Sequence, residues 1–177
     1  MFEKIKKLFR GDAPKTNPTL LDLQVGWVVE YDLKDWVVKK HYEYDWGNEF
    51  YSTEFLLDSG DDQLFLAVSD EDTEIECSIS REIPLNSFSL EARKSITDND
   101  VAPKEVEYLG KKYFLSETSQ GYSNEKGSSA RSEFVMYDYK DASEKEFVSI
   151  TRWSESELEA FEGTYIPSYS FENIIPA

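Results

Sequence analysis

Three glutamates, Glu54, Glu117 and Glu133, interrupt or flank apolar, β-rich stretches of this 177-residue chain. A carboxylate among apolar neighbours has its pKa raised unless a cation pairs with it, and a raised carboxyl is a candidate general acid or base. Lys111 and Arg152 are the cations placed to pair with these acids. Glu133 and Arg152 fall near the open end of a hairpin predicted over residues 132–153, distal to its turn at Asp141. The expected role of that pair is an ion pair that fixes strand register. The catalytic alternative is a hydrolase using Glu54 or Glu133. His41 is the only histidine and Cys77 the only cysteine. Alternation groups Cys77 with Ile75 and Ile79 as a small buried hydrophobe. His41 falls on the Val37, Lys39 and Glu43 face of its strand, with no Cys, Asp or second His at ligand spacing. No nucleophile–base pair is expected from these two, and no catalytic residue is assigned.

The acids Asp70, Asp72 and Glu74 alternate, and Asp58, Asp61 and Asp62 cluster nearby. Both groups lack the glycine and closing glutamate of a calcium loop and read as solvated turns, so no metal or other cofactor is expected. The chain also lacks GxxxxGK[ST], GxGxxG after a strand, HExxH, CxxC and GxSxG. Their absence removes P-loop, dinucleotide, zincin, thiol-redox and α/β-hydrolase chemistry.

The chain carries 11 Tyr, 11 Phe and 4 Trp, more rings than one core commonly needs. Cross-strand packing is the leading reading of these rings, and Tyr42, Tyr44, Trp46, Tyr122 and Tyr165 are the candidates to line an exposed cleft or partner surface instead. Trp46 and Tyr122 are taken as interaction candidates. A formal charge of −17 and a pI near 4.4 oppose phosphate backbones and anionic lipid, which excludes a nucleic-acid partner. Residues 1–10 concentrate basic charge instead. Phe2, Ile5, Leu8 and Phe9 form an apolar stripe beside Lys4, Lys6, Lys7 and Arg10, predicting a short amphipathic helix. A protein partner is its expected target, with weak membrane-surface contact second. With a lone cysteine, no secretion signal and no long apolar run, the expected location is cytoplasmic, extending to the periphery of the membrane.

Turn signals separate nine or ten short antiparallel strands, so the fold class is mainly β with short terminal helices. After a helix over residues 1–12, residues 20–177 form a single β domain of two similar halves, about 24–84 and 104–153. Val29-Glu30-Tyr31 recurs as Val106-Glu107-Tyr108, and Trp36-Val37-Val38 as Tyr113-Phe114-Leu115, both 77 residues later. Glu54-Phe55 is matched to Glu133-Phe134. Two stacked sheets or a partly closed barrel follow. In the second strand Trp36, Val38, Tyr42 and Tyr44 are in phase. Residues 89–96 predict two helical turns, and 121–132 a polar, mobile loop. Ser154 and Glu157, spaced as a capping box, predict a helix ending at Gly163. Residues 165–175 read as a final extended segment.

Gly26, Val29 and Tyr31, then Trp36-Val37-Val38 and Glu54-Phe55-Leu56-Leu57, form a diffuse pattern with Tyr113-Phe114-Leu115-Ser116-Glu117, Tyr137-Asp138-Tyr139 and Arg152-Trp153. From about Leu20 to Pro176 the chain resembles a bacterial family, domain of unknown function four-one-seven-eight. Where that family usually has a glycine before the second-half glutamate, this chain has Ser132. The resemblance implies no reaction, but an accessory domain beside membrane-stress proteins, polyamine-synthesis enzymes and small membrane proteins. The expected function is therefore a non-catalytic interaction or scaffold module linked to a membrane-associated stress system. A small-molecule-binding domain, or the hydrolase above, is the alternative.

Overall fold

Alternation of apolar with small polar residues governs most of this chain, and each alternating stretch forms a strand with two different faces. The structure, a computed structural model, describes residues 17–71 and 74–177. The helix expected over residues 1–12, with Phe2, Ile5, Leu8 and Phe9, lies outside the described residues. The first half comprises β1 (Val28–Tyr31), β2 (Lys34–Gly47), β3 (Phe50–Asp58), β4 (Gln63–Glu71) and β5 (Glu74–Glu82). The second repeats that order as β6 (Glu105–Tyr108), β7 (Lys111–Glu125), β8 (Ser132–Lys140), β9 (Glu146–Arg152) and β10 (Leu158–Pro167). A last strand, β11 (Phe171–Ile175), pairs with β1. One α-helix, α1 (Leu90–Asn99), joins the halves, and 3-10 turns lie near both ends. No described helix is long and apolar enough to cross a membrane.

All strands belong to one antiparallel sheet, ordered β11-β1-β2-β3-β4-β5-β10-β9-β8-β7-β6. A further pairing of β2 with β7, from Tyr42↔Glu125 to Asp45↔Tyr122, closes eight of them into a ring. The expected barrel is thus the form taken, with β8 and β9 interior to the sheet. Gly121 makes the closure possible. A Cβ on it would stand 2.3 Å from the Asp45 carbonyl oxygen and 3.3 Å from the Phe134 ring.

The apolar faces point outward and are covered by the chain's own appendages. Phe55, Leu57, Leu64, Leu66, Cys77 and Ile79 form the outer core of the first half. Leu20, Leu23, Val29 and Phe171 close over it. Tyr137, Tyr139, Val148, Ile150 and Ala160 form the second, closed by Phe88, Ala92, Ile96, Val106 and Tyr108. Ser89 starts α1 as expected, its hydroxyl accepting from the Ala92 N–H at 3.1 Å.

Four local readings are corrected. A β-bulge between Val38 and Lys40 reverses the phase of β2. Buried His41 therefore joins Trp36 and Val38 on the outer core side, and Tyr42 and Tyr44 face the ring interior. The segment Gly121–Glu125 is strand rather than loop, because Ser123 looks into a polar interior and Tyr122 into solvent. No helix follows Ser154. Leu158–Pro167 pairs with β5 and β9 on either side, and Phe147 packs over Gly163, where a Cβ would stand 2.3 Å from its ring. The fourth concerns the repeat. A second bulge, between Leu115 and Glu117, falls 77 residues after the first, so the halves do correspond in β1–β2 and β6–β7. Leu57 opposite Val38 matches Tyr139 opposite Leu115, however, which makes Met136, and not Glu133, the counterpart of Glu54.

A candidate ligand cavity inside the ring

Strands whose outer faces are apolar turn their alternate residues into the ring, and those residues define a cavity of about 720 Å³. All eight ring strands contribute to its wall. Ser78 and Ser80 alternate with Cys77 and Ile79, and Ser149 and Thr151 with Val148 and Ile150. Aromatic rings stand between these hydroxyls. Tyr44 stacks on Trp46 with centroids 5.7 Å apart. Phe134 meets Tyr44, Trp46 and Trp153 edge-on at 5.5, 5.2 and 5.6 Å.

Hydrogen bonds hold the wall groups in place. Tyr44 Oη donates to Glu54 Oε1 at 3.0 Å, Trp46 Nε1 to Ser52 Oγ at 2.8 Å, and Trp153 Nε1 to Glu159 Oε2 at 2.7 Å. Desolvation pushes the Glu54 carboxyl up to about 7; the Tyr44 hydrogen bond opposes this rise, and the negative charge of Glu159 adds to it. At the other end of the lumen Asp138 is also pushed up to about 7, by desolvation and then by Glu117, with Lys140 opposing. Thr151 is 1 % exposed, and its hydroxyl has no hydrogen-bond partner.

The structure separates the acids singled out by sequence. Glu54 is in the lumen. Glu117 is exposed and lines the second mouth with Asp138. Glu133 is exposed on the outer side, opposite Tyr122. The expected Glu133–Arg152 ion pair is replaced by one between Arg152 and Asp100, because Arg152 lies opposite Val135 and reaches the end of α1. Lys111 is likewise engaged elsewhere, with Asp141 at 2.9 Å and Glu146 at 2.6 Å. Of the interaction candidates, Trp46 lines the lumen, and Tyr122 lies on the outer face of the closing seam, 45 % exposed. Tyr42, Tyr44 and Tyr165 also line the cavity. Sequence reasoning missed Asp138, Thr151 and Glu159. Their signal was present as polar positions alternating with apolar ones in β8, β9 and β10.

Cys77 and His41 lie outside the lumen lining, on the outer-core side of the wall. Burial pushes the Cys77 thiol up to about 11, and its Sγ donates to the Ile166 carbonyl at 3.2 Å. Burial lowers His41 to about 4, with Lys126 adding to the effect; it packs on Phe55 at 4.5 Å and hydrogen-bonds Thr53. Native Cys77 is expected to resist iodoacetamide at pH 8 and to react fully in urea, as read by mass spectrometry. Rapid native labelling would contradict this packing. The turn acids are engaged in ion pairs: Asp61 with Lys34 at 3.0 Å and Asp62 with Arg81 at 2.6 Å. Among the described residues no group of three His, Cys, Asp or Glu is placed to hold a metal.

A closed antiparallel ring around a hydroxyl-, carboxyl- and ring-lined lumen defines the class: a β-barrel domain with an internal cavity. Residues 24–168 match the family described as Domain of unknown function (DUF4178), and the chain belongs to that family. No curated protein and no solved structure matches the chain.

Proposed function

We propose that this domain is a non-catalytic module that binds a small molecule inside its ring. The observation that carries the reading is the lumen wall. It holds the unpartnered hydroxyl of Thr151, a polar group whose burial is costly without a partner, and the desolvated carboxyl of Glu54, which accepts from Tyr44. A volume of about 720 Å³ suits a compact ligand, and the aromatic walls supply contact area. The hydrolase alternative has less support. Glu133 is on the outer side, and Cys77 and His41 face the outer core, so none of the three adjoins Glu54 across the lumen. Protein docking remains part of the proposal at the outer seam, where Arg131 covers the exposed Tyr122 ring at 4.7 Å.

Filling the lumen tests the reading. Ala67 lines it from β4, and Ala67→Trp adds a large ring to that wall. In a thermal-shift screen of charged and neutral metabolites, the wild-type chain is expected to be stabilised saturably by at least one compound. The variant is expected to fold and to lose that shift. No shift with any compound, or shifts retained in the variant, would defeat the proposal.

A further inference from the structure

The lumen is one-sided in charge. Glu54, Glu82, Glu125, Asp138, Glu157 and Glu159 line it, and among the described residues no lysine, arginine or histidine does. Three of the neighbouring cations are engaged elsewhere, whereas Lys40 lies 5.9 Å from the ring of the lining residue Tyr42 without joining the wall itself. Arg152 pairs with Asp100, Lys111 with Asp141 and Glu146, and Arg131 with Asp45. Lys140 lies 5.2 Å from the Tyr165 ring without joining the wall of the main cavity. Building on the reading of the lumen as a binding site, we propose that its ligand is a small organic cation of the alkylammonium or guanidinium class, held between carboxylates and aromatic faces.

Three observations besides the acids point to this chemistry. First, Trp46 and Trp153 have their indole N–H groups turned to Ser52 and Glu159, which fixes the orientation of both rings at the lumen wall. Tryptophan is the ring whose face attracts a cation best, most when water is excluded. Second, the Thr151 hydroxyl has no partner at 1 % exposure, and its cross-strand neighbours are Met136 and Glu159. A ligand N–H donated to it would satisfy a group that the protein leaves unsatisfied. Third, the net charge of −17 makes the surrounding field attract cations and repel anions. A neutral polyol would meet the hydroxyls and leave the desolvated carboxyls without counter-charge. An anion would meet repulsion from every side.

Binding carries a proton signature. Desolvation pushes Glu54 and Asp138 each up to about 7, so each is substantially protonated at pH 6 and ionised at pH 8. A bound cation favours the carboxylate and expels that proton. Affinity therefore rises with pH, by up to about tenfold per pH unit for each proton released.

The test uses the full chain. Tryptophan fluorescence and titration calorimetry follow n-butylammonium, benzylammonium, tetramethylammonium and n-butylguanidinium. Their uncharged counterparts are 1-butanol, benzyl alcohol, neopentanol and N-butylurea, with glucose as a neutral polyol. At least one cation is expected to bind 1:1, at least tenfold tighter than its counterpart, and tighter at pH 8 than at pH 6. Glu54→Gln or Asp138→Asn is expected to weaken it at least tenfold, and Glu133→Gln, on the outer side, to leave it unchanged. Should one lumen variant fail to fold by circular dichroism, the other carries the comparison. Uncharged compounds or glucose binding as well as the cations would overturn the cation assignment and leave the cavity reading intact. If no compound of either set binds, both are wrong.

Discussion

Glu54→Gln is expected to raise stability by about 1 kcal/mol at pH 5 and by roughly 3 kcal/mol at pH 8. The unfolded chain releases the Glu54 proton near its ordinary value of 4.5, and the folded chain holds it to about 7. Between those values the folded state binds the extra proton, so stability falls as pH rises and levels off above the folded value. Glutamine mimics the neutral acid in shape and still accepts from Tyr44, so it escapes the decline. The groups around Glu54 set the size of the effect. Tyr42 and Tyr44 face it from β2, and the charge of Glu159 adds from β10. From β4 its cross-strand neighbour is Ala67, which offers no hydrogen bond. Asp138, displaced in the same direction, leaves a residual decline in the single variant that Asp138→Asn is expected to remove. Urea midpoints at pH 5 and 8 measure this directly. Parallel pH profiles for wild type and Glu54→Gln would show that the carboxyl is already ionised in the lumen.

Gly121→Ala is expected to cost about 3 kcal/mol. The new methyl group would meet the Asp45 carbonyl at 2.3 Å, and that oxygen belongs to backbone held in the β2–β7 pairing. No rotamer change relieves such a contact. The strand must move, and with it the pairing from Tyr42 to Asp45 that closes the ring. Amide exchange at Tyr44 and Ser123 is expected to accelerate in the variant more than exchange at Leu57 or Leu66, which are paired on β3–β4 away from the seam. Stability within about 0.5 kcal/mol of wild type would mean the strands pass with room to spare.

Much of this architecture was legible in the residues, and the limits of that reading have physical causes. The β-rich arms on either side of Asp141 predict a hairpin over residues 132–153, and β8 pairs with β9 there. That hairpin is bordered by an apolar core outside and the lumen inside. The 77-residue recurrence located the paired opening hairpins, and the Ser89 cap located α1. What failed was phase. A bulge adds one residue without changing composition, so Tyr42 and Tyr44 were assigned to the face of Trp36 and Val38. The second failure was the meaning of polarity. Serines alternating with apolar residues carry no assignment from sequence, since a period of two does not distinguish bulk water from an enclosed lumen. Small hydroxyls and rings, in place of the usual lysines and exposed acids, were the available hint. Gly121 to Ser132 misled for the same reason: a strand bordered by a polar cavity and by solvent has no apolar face to show.

The two bulges, equally placed in each half, carry a consequence for stoichiometry. The ring backbone has an approximate dyad, exchanging β2 with β7 and β3 with β8, but the lining does not obey it. Extended through the strand pairings, the dyad sets Glu54 against Met136, Ala67 against Thr151, Phe65 against Ser149 and Ser78 against Glu159. Three of the four matches oppose a polar side chain to an apolar one, and the fourth a serine to a glutamate. A symmetrical lumen would offer two equivalent berths, or one that a guest entered in either sense. Here each berth has lost what its mate kept, so under the proposed binding role a guest is expected to prefer one berth and one orientation.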